Sequence, residues 1–249
     1  MRSPRPVALR LALALVGLVA LVALPALAPP ARAESPYRTR AAIDLPVTGL
    51  GLVLTLPAFL EVRPPACLPD CDPADVNAFD RPIIGNYSAP ARTAADVTVV
   101  AMVVLPLLLD AIDSGGDGWL DDSAVYAETL AVMAGLTQLT KAAVDRAAPF
   151  VYDPNVPDDV RRNDRDGPRS FFSGHTSMAF AAAAATTVTF WQRHPKSGWR
   201  WVVLGVSAAV ATSVGLFKIE AGYHWWSDVI AGAVAGTSVG ILVPVLHFR

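Results

Sequence analysis

Charge is scarce in this chain. Asp, Glu, Lys and Arg make up 17% of its 249 residues, against about 25% in an average soluble domain. A basic excess is also missing. Lys plus Arg is 20 and Asp plus Glu is 22, for a net charge of −2, so nothing draws the chain onto a nucleic-acid backbone. With only two cysteines and four histidines, a disulfide-dense scaffold is excluded and a Cys/His zinc centre is disfavoured. Internal repeats and low-complexity tails are absent as well. What is abundant is apolar: 53% hydrophobic residues and a mean hydropathy of +0.41. That composition excludes disorder, and the length suits one domain leaning toward the membrane.

Residues 1–33 read as an export signal. Arg2, Arg5 and Arg10 form a positive start, Leu11 to Ala28 an apolar core, and Ala31-Arg32-Ala33 a small-x-small cleavage site. An uncleaved anchor helix is the other reading, because Leu11 to Ala31 is uncharged and long enough to span. Cleavage would remove four Arg and no acid, moving the net charge from −2 to −6. Either way the rest of the chain is expected outside the cytoplasm. In such an oxidising compartment Cys67 and Cys71 are expected to form a local disulfide.

Residues 34–94 read as an extension holding an apolar stretch, Leu45 to Leu60, and a Pro-rich acidic connection with the cysteines. Residues 95–249 alternate apolar runs with polar loops. Their length and Ala/Leu content predict an all-α bundle of about five or six helices, membrane-embedded. Arg193, Lys196, Arg200 and Arg249 place two segments in the cytoplasm by the positive-inside rule. The stretches 146–172 and 218–228 then share the outer side. The acidic loop Asp113 to Asp122 has an Asp-Gly pair, but Gly115 and Ala124 replace two ligands of a calcium loop. It reads as a solvated turn, as does the mixed-charge run from Asp158 to Arg169. No metal site is expected.

Three segments carry polar residues that an apolar bundle would not otherwise choose. The first, Lys141 to Pro149, closes a helix. The second, Ser173-Gly174-His175, opens another: Ser173 caps it, and Gly174 lets a ligand approach free N–H groups, the arrangement of an anion site. His175 adds a proton donor with a pKa near neutrality. In the third, Lys218 to Asp228, His224 and Asp228 stand four residues apart, so one helical turn brings them together. A carboxylate so placed fixes an imidazole's tautomer and raises its basicity. Lys141 and Lys218 supply cations for a polyanion. Each feature alone has an ordinary structural reading, and the conjunction carries the functional one.

At these residues the chain resembles the type 2 phosphatidic acid phosphatase and vanadium haloperoxidase superfamily. Its signature is Lys-x6-Arg-Pro, then Pro-Ser-Gly-His, then Ser-Arg-x5-His-x3-Asp. Lys141 with Pro149, Ser173-Gly174-His175, and His224 with Asp228 match in order and spacing, over roughly residues 95–248. Ala148 stands where the family has Arg, Phe172 where it has Pro, and Phe217-Lys218 where it has Ser-Arg. Lys cannot offer the forked grip of Arg. Arg146, two positions before Ala148, reaches a shared site only if the helix end unwinds.

The resemblance implies a phosphatase of a phosphate monoester or lipid (pyro)phosphate, at the periplasmic face of a bacterial inner membrane. It implies His224 as a nucleophile forming a phosphohistidine, Asp228 orienting it, and His175 as acid and base. Lys141, Ser173, Gly174, Lys218 and Arg146 would bind phosphate, and no cofactor is implied. The expected partners are a phosphorylated lipid or small phosphate ester and membrane lipid, with no nucleic acid. Two alternatives stand beside this reading: a degenerate, non-catalytic phospholipid-binding membrane protein, and a vanadate-dependent haloperoxidase.

Overall fold

The structure is a computed structural model and describes residues 34–56, 64–114 and 118–249. The expected export signal lies outside the described residues. Among the described residues there are seven α-helices: α1 (Ala41–Val53), α2 (Ala89–Asp113), α3 (Trp119–Val144), α4 (Asp158–Asn163), α5 (Gly174–Arg193), α6 (Trp199–Glu220) and α7 (Trp226–Leu246). No strand occurs among the described residues. The sequence predicted five or six helices. The five long ones, α2, α3, α5, α6 and α7, match that count, and α1 and the six-residue α4 are additional.

Helix α5 is the hub and packs against α2, α3, α6 and α7. Its composition explains the position. Ala179, Ala181, Ala182, Ala183 and Ala185 are buried, and only small side chains let one helix touch four neighbours at close range. The closest approach is to α7, which presents Gly232, Gly236 and Gly240 at four-residue spacing. A Cβ at these positions would stand 2.8 Å from Ser173 O, 2.2 Å from Ser177 O and 2.5 Å from Ala181 O. This small-xxx-small stripe is how helices pack where no water drives them together.

The outward faces are apolar. On α2, Val97, Val100, Val104, Leu108 and Ile112 recur at three- and four-residue spacing and are all exposed. Helices α2, α6 and α7 are long and apolar enough to cross a membrane. Such a face costs free energy in water and none in lipid. We therefore read the chain as a membrane protein. The stretch from Leu45 resolves into α1, which lies on α3 with Gly51 against the Ala131 carbonyl. Leu45, Leu50 and Leu52 point away from the bundle.

The long helices alternate in direction, so side chains collect at two ends. At one end α2, α5 and α7 begin and α3 and α6 finish. At the other, Asp122 of α3 receives Arg193 Nε at 2.8 Å, and Asp113 meets His194 Nε2 at 2.8 Å. Both acids, expected in a solvated turn, are instead engaged in these contacts. Arg193, expected as a loop charge, is buried in that pair. Trp191, Trp199 and Trp201 cluster at the same end, where Arg200 stacks on Trp191 and Trp201.

Candidate active site

The first end gathers the polar residues singled out in the sequence. Helix α3 stops at Asp145, which adopts a left-handed conformation at φ 49°. Asp tolerates that conformation better than most residues. The stop leaves Lys141 in the last turn, buried, with its Nζ donating to Arg169 O at 2.6 Å. Ser173 caps α5, its Oγ accepting from Thr176 N at 3.4 Å and Thr176 Oγ1 at 2.8 Å. Ser173 N donates to the Asp228 carbonyl at 3.1 Å, which ties the start of α5 to the start of α7. Between α6 and α7 the chain turns at Gly222, φ 79°, where a Cβ would stand 1.9 Å from Asn86 O. No other residue fits there. The turn delivers His224.

A cavity of about 280 Å³ opens here, lined by Lys141, Gly174, His175, His224 and Asp166 on its polar side. Val99, Ala134 and Met178 line the apolar side. His224 is buried, and burial pushes its imidazole down to about 4, against an upward pull from Asp228. At neutral pH it is therefore an uncharged base. Its Nδ1 stands 3.6 Å from Asp228 Oδ2, which leaves Nε2 as the other ring nitrogen available to a ligand. His175 Nε2 stands 2.8 Å from Asp96 Oδ1, and Lys218 Nζ lies 3.2 Å from the same oxygen.

The three signature segments thus meet, but the residues occupy different distances from the cavity. Lys141, Gly174, His175 and His224 line it. Ser173 and Asp228 stand directly behind and hold the helix starts. Lys218 reaches it through Asp96 and lies 5.4 Å from the centre of the Tyr223 ring. Arg146 does not line the cavity. Its guanidinium donates to Asp228 Oδ1 at 2.7 Å, Ser227 Oγ at 2.7 Å and Asp80 Oδ2 at 2.7 Å. The helix end is unwound, as Arg146 would need, yet the released side chain turns to the back of the His–Asp pair. In the structure the guanidinium is engaged with Asp228, Ser227 and Asp80. Ala148 is buried in an apolar cluster with Phe150, Val151, Ala221 and Tyr223.

Three carboxylates escaped the sequence reading. Asp80, fully buried, accepts from Ser227 N at 3.0 Å and Ser227 Oγ at 2.6 Å besides Arg146. Burial alone would raise its pKa, but bonds from Ser227, Asn77 and Arg146 hold it below the ordinary range. Asp96 lies on α2, before the first recognised motif. Asp166 sits in the mixed-charge run expected to be solvated. Desolvation would raise it too, but Lys141, Lys218, His224 and His175 together draw it down. Only the number of nearby acids hinted at any of them. Cys67 and Cys71 are joined by a disulfide, in a loop packed against Phe150 and Val151.

The sequence model of the PAP2 superfamily matches residues 123–249, about half of the chain, and the protein belongs to that superfamily. Among its relatives, the chain is 38% identical over 81 residues to a lipid A 1-phosphatase of Porphyromonas gingivalis, covering 32% of this chain and 17% of that protein. It is 33% identical over 104 residues to the bacitracin transport permease protein BcrC of Bacillus licheniformis, covering 40% and 45%. It is 32% identical over 84 residues to a probable diacylglycerol pyrophosphate phosphatase 1 of Schizosaccharomyces pombe, covering 32% and 30%. The matches thus span less than half the length of these relatives. A solved transmembrane PAP2-type phosphatidylglycerolphosphate phosphatase from Bacillus subtilis shares the fold, with TM-score 0.51 and 16% identity. The match covers 82% of this chain and 94% of that one.

Proposed function

We propose that this protein is a membrane phosphatase that removes phosphate from a phosphorylated lipid, through a phosphohistidine on His224. The observation that carries the reading is the cavity itself: a neutral imidazole, a second histidine and a buried lysine on one wall, apolar side chains on the other. A phosphate joined to an apolar chain matches both walls. His224 Nε2 attacks phosphorus, and the bond to the leaving oxygen breaks as His175 gives that oxygen a proton. Water, deprotonated by His175, then cleaves the phosphorus–nitrogen bond and restores His224. Lys141 and the backbone N–H groups at the start of α5 hold the three equatorial oxygens, where preorganised charge contributes most. Asp228, held by Arg146 and the Trp225 N–H, keeps the imidazole oriented.

We also assign the cavity to the periplasmic face of a bacterial inner membrane. Lys196, Arg200 and Arg249 lie at the opposite end, together with the tryptophan cluster. Phosphate release from a panel of lipid phosphates and pyrophosphates tests the reading. The parent protein should release phosphate from at least one, vanadate should inhibit, and His224→Ala should show no turnover with expression intact. Lipid binding without phosphate release would favour the degenerate, binding-only alternative. Halide oxidation with vanadate and peroxide would favour the haloperoxidase.

A further inference from the structure

At the end of the bundle away from the catalytic cavity, three side chains from separate elements converge: Asp44 of α1, Glu128 of α3 and His247 just after α7. Their ligand atoms all lie within 4.8 Å of one another. Nineteen residues of helical rise separate Asp228 from His247, on the order of 28 Å, so this cluster is no part of the phosphate site. We infer that Asp44, Glu128 and His247 bind one zinc-class divalent metal ion that clasps α1, α3 and the C-terminal segment.

The tautomer is the first argument. His247 Nδ1 lies 2.8 Å from Val243 O, so that nitrogen donates and Nε2 is the ring atom turned toward the carboxylates. A ring nitrogen donating to a carbonyl while the other faces a metal is the usual orientation of a ligating histidine. Asp44 is prepared in the same way. Its Oδ2 accepts from Arg40 N at 2.5 Å, which leaves Oδ1 facing His247.

Spacing is the second. His247 Nε2 stands 3.4 Å from Asp44 Oδ1 and 3.6 Å from Glu128 Oε2. Directly bonded charged pairs close to about 2.7–2.9 Å, and His194–Asp113 in this same protein does so at 2.8 Å. Ligands about 2.1 Å from a tetrahedral metal stand about 3.4 Å apart. The separations here are those of two ligands with an ion between them.

Glu128 supplies the third. Its side chain is only 8% exposed, and Oε2 is buried with no hydrogen-bond partner. Burying an unsatisfied carboxylate oxygen is costly. A divalent cation between the two carboxylates would give that oxygen a partner. Calcium and magnesium prefer oxygen ligands, whereas an imidazole with carboxylates suits zinc. His247 at 12% and Asp44 at 15% exposure leave room for a water as fourth ligand.

The test uses the full chain in detergent, freed of any affinity tag, stripped with chelator and titrated with Zn²⁺. Metal content and thermal unfolding are read together. We expect one equivalent bound and a Tm that rises with Zn²⁺. Glu128→Gln and His247→Gln should each weaken binding at least tenfold while phosphate release is unchanged. Should Glu128→Gln fail to fold, Asp44→Asn at the edge of the cluster gives the same reading. No stoichiometric zinc and no Tm shift in the parent would overturn the inference. So would an equivalent that survives in Glu128→Gln and disappears in His175→Ala, because the zinc would then sit in the catalytic cavity.

Discussion

Arg146 illustrates what a single residue does when its carboxylate partners are buried. It bridges Asp80 and Asp228, both of which are inaccessible to solvent. Removing one partner of such a set leaves uncompensated charge in a low-dielectric interior, the costly way to break an ion pair. Arg146→Ala is therefore expected to lower phosphate release by roughly tenfold, about 1.4 kcal/mol, and to lower Tm. Adding Asp80→Asn should recover Tm more than activity, because Asp228 would still lack its donor. Thermal unfolding and initial rates of the single and double variants check this. The depressed pKa of His224 gives a second expectation. Above about 4 the ring is a free base, and below it the proposed nucleophile would be protonated and inactive. In kcat/KM against pH, the acid limb assigned to His224 should thus fall near 4, well under the ordinary 6.5.

At this scale the sequence was legible in part. Lys141, Gly174, His175 and His224, which line the cavity, fell within short motifs, because helix starts and four-residue spacings are local features. Arg146, Asp80, Asp96 and Asp166 were assigned otherwise or passed over, because long-range packing sets their partners. Ala148 teaches the same lesson. The family resemblance suggests that an arginine there would restore a phosphate contact, but the side chain lies among Phe150, Val151 and Tyr223. Ala148→Arg is expected to destabilise the protein by burying a charge, with a lower Tm and no gain in rate.

Among the elements, the pairing of α5 with α7 sets the geometry of the site. It places the start of α5, with its cap and free N–H groups, beside the turn that carries His224. The Ala-rich composition of α5 was plain in the sequence, and so were the glycines of α7. Their shared register was not, because a four-residue stripe acquires meaning only when its partner is known. Gly236 makes the closest contact. A Cβ there needs the helices to move apart, so Gly236→Ala should cost about 1–3 kcal/mol and reduce activity by shifting Ser173 relative to His224. Chemical denaturation and phosphate release, measured together, would show the two effects in parallel. A variant with full stability and full activity would mean that the stripe does not hold the site.

Over the whole molecule, the alternation of helix directions separates the end that holds the cavity from the end where Arg200 stacks on Trp191 and Trp201. Composition and apolar runs were sufficient to read an all-helical membrane protein. They were not sufficient to place α1, whose prolines and short length fit several positions until its contact with α3 is seen. The sidedness proposed above is open to direct measurement. Asn155, exposed beyond α3, becomes a probe when changed to cysteine in a Cys67→Ser, Cys71→Ser background. An impermeant thiol reagent should label it in intact cells, and labelling only after lysis would reverse the topology.

The central claim is that His224 carries phosphate covalently. Rapid quenching of the purified protein during turnover of a lipid labelled in its phosphate should trap label on the polypeptide. That label should be acid-labile and alkali-stable, as expected of a phosphoramidate, should map to the peptide holding His224, and should be absent from His224→Ala. Phosphate release at full rate with no trapped label, or with label that His224→Ala retains, would contradict the account.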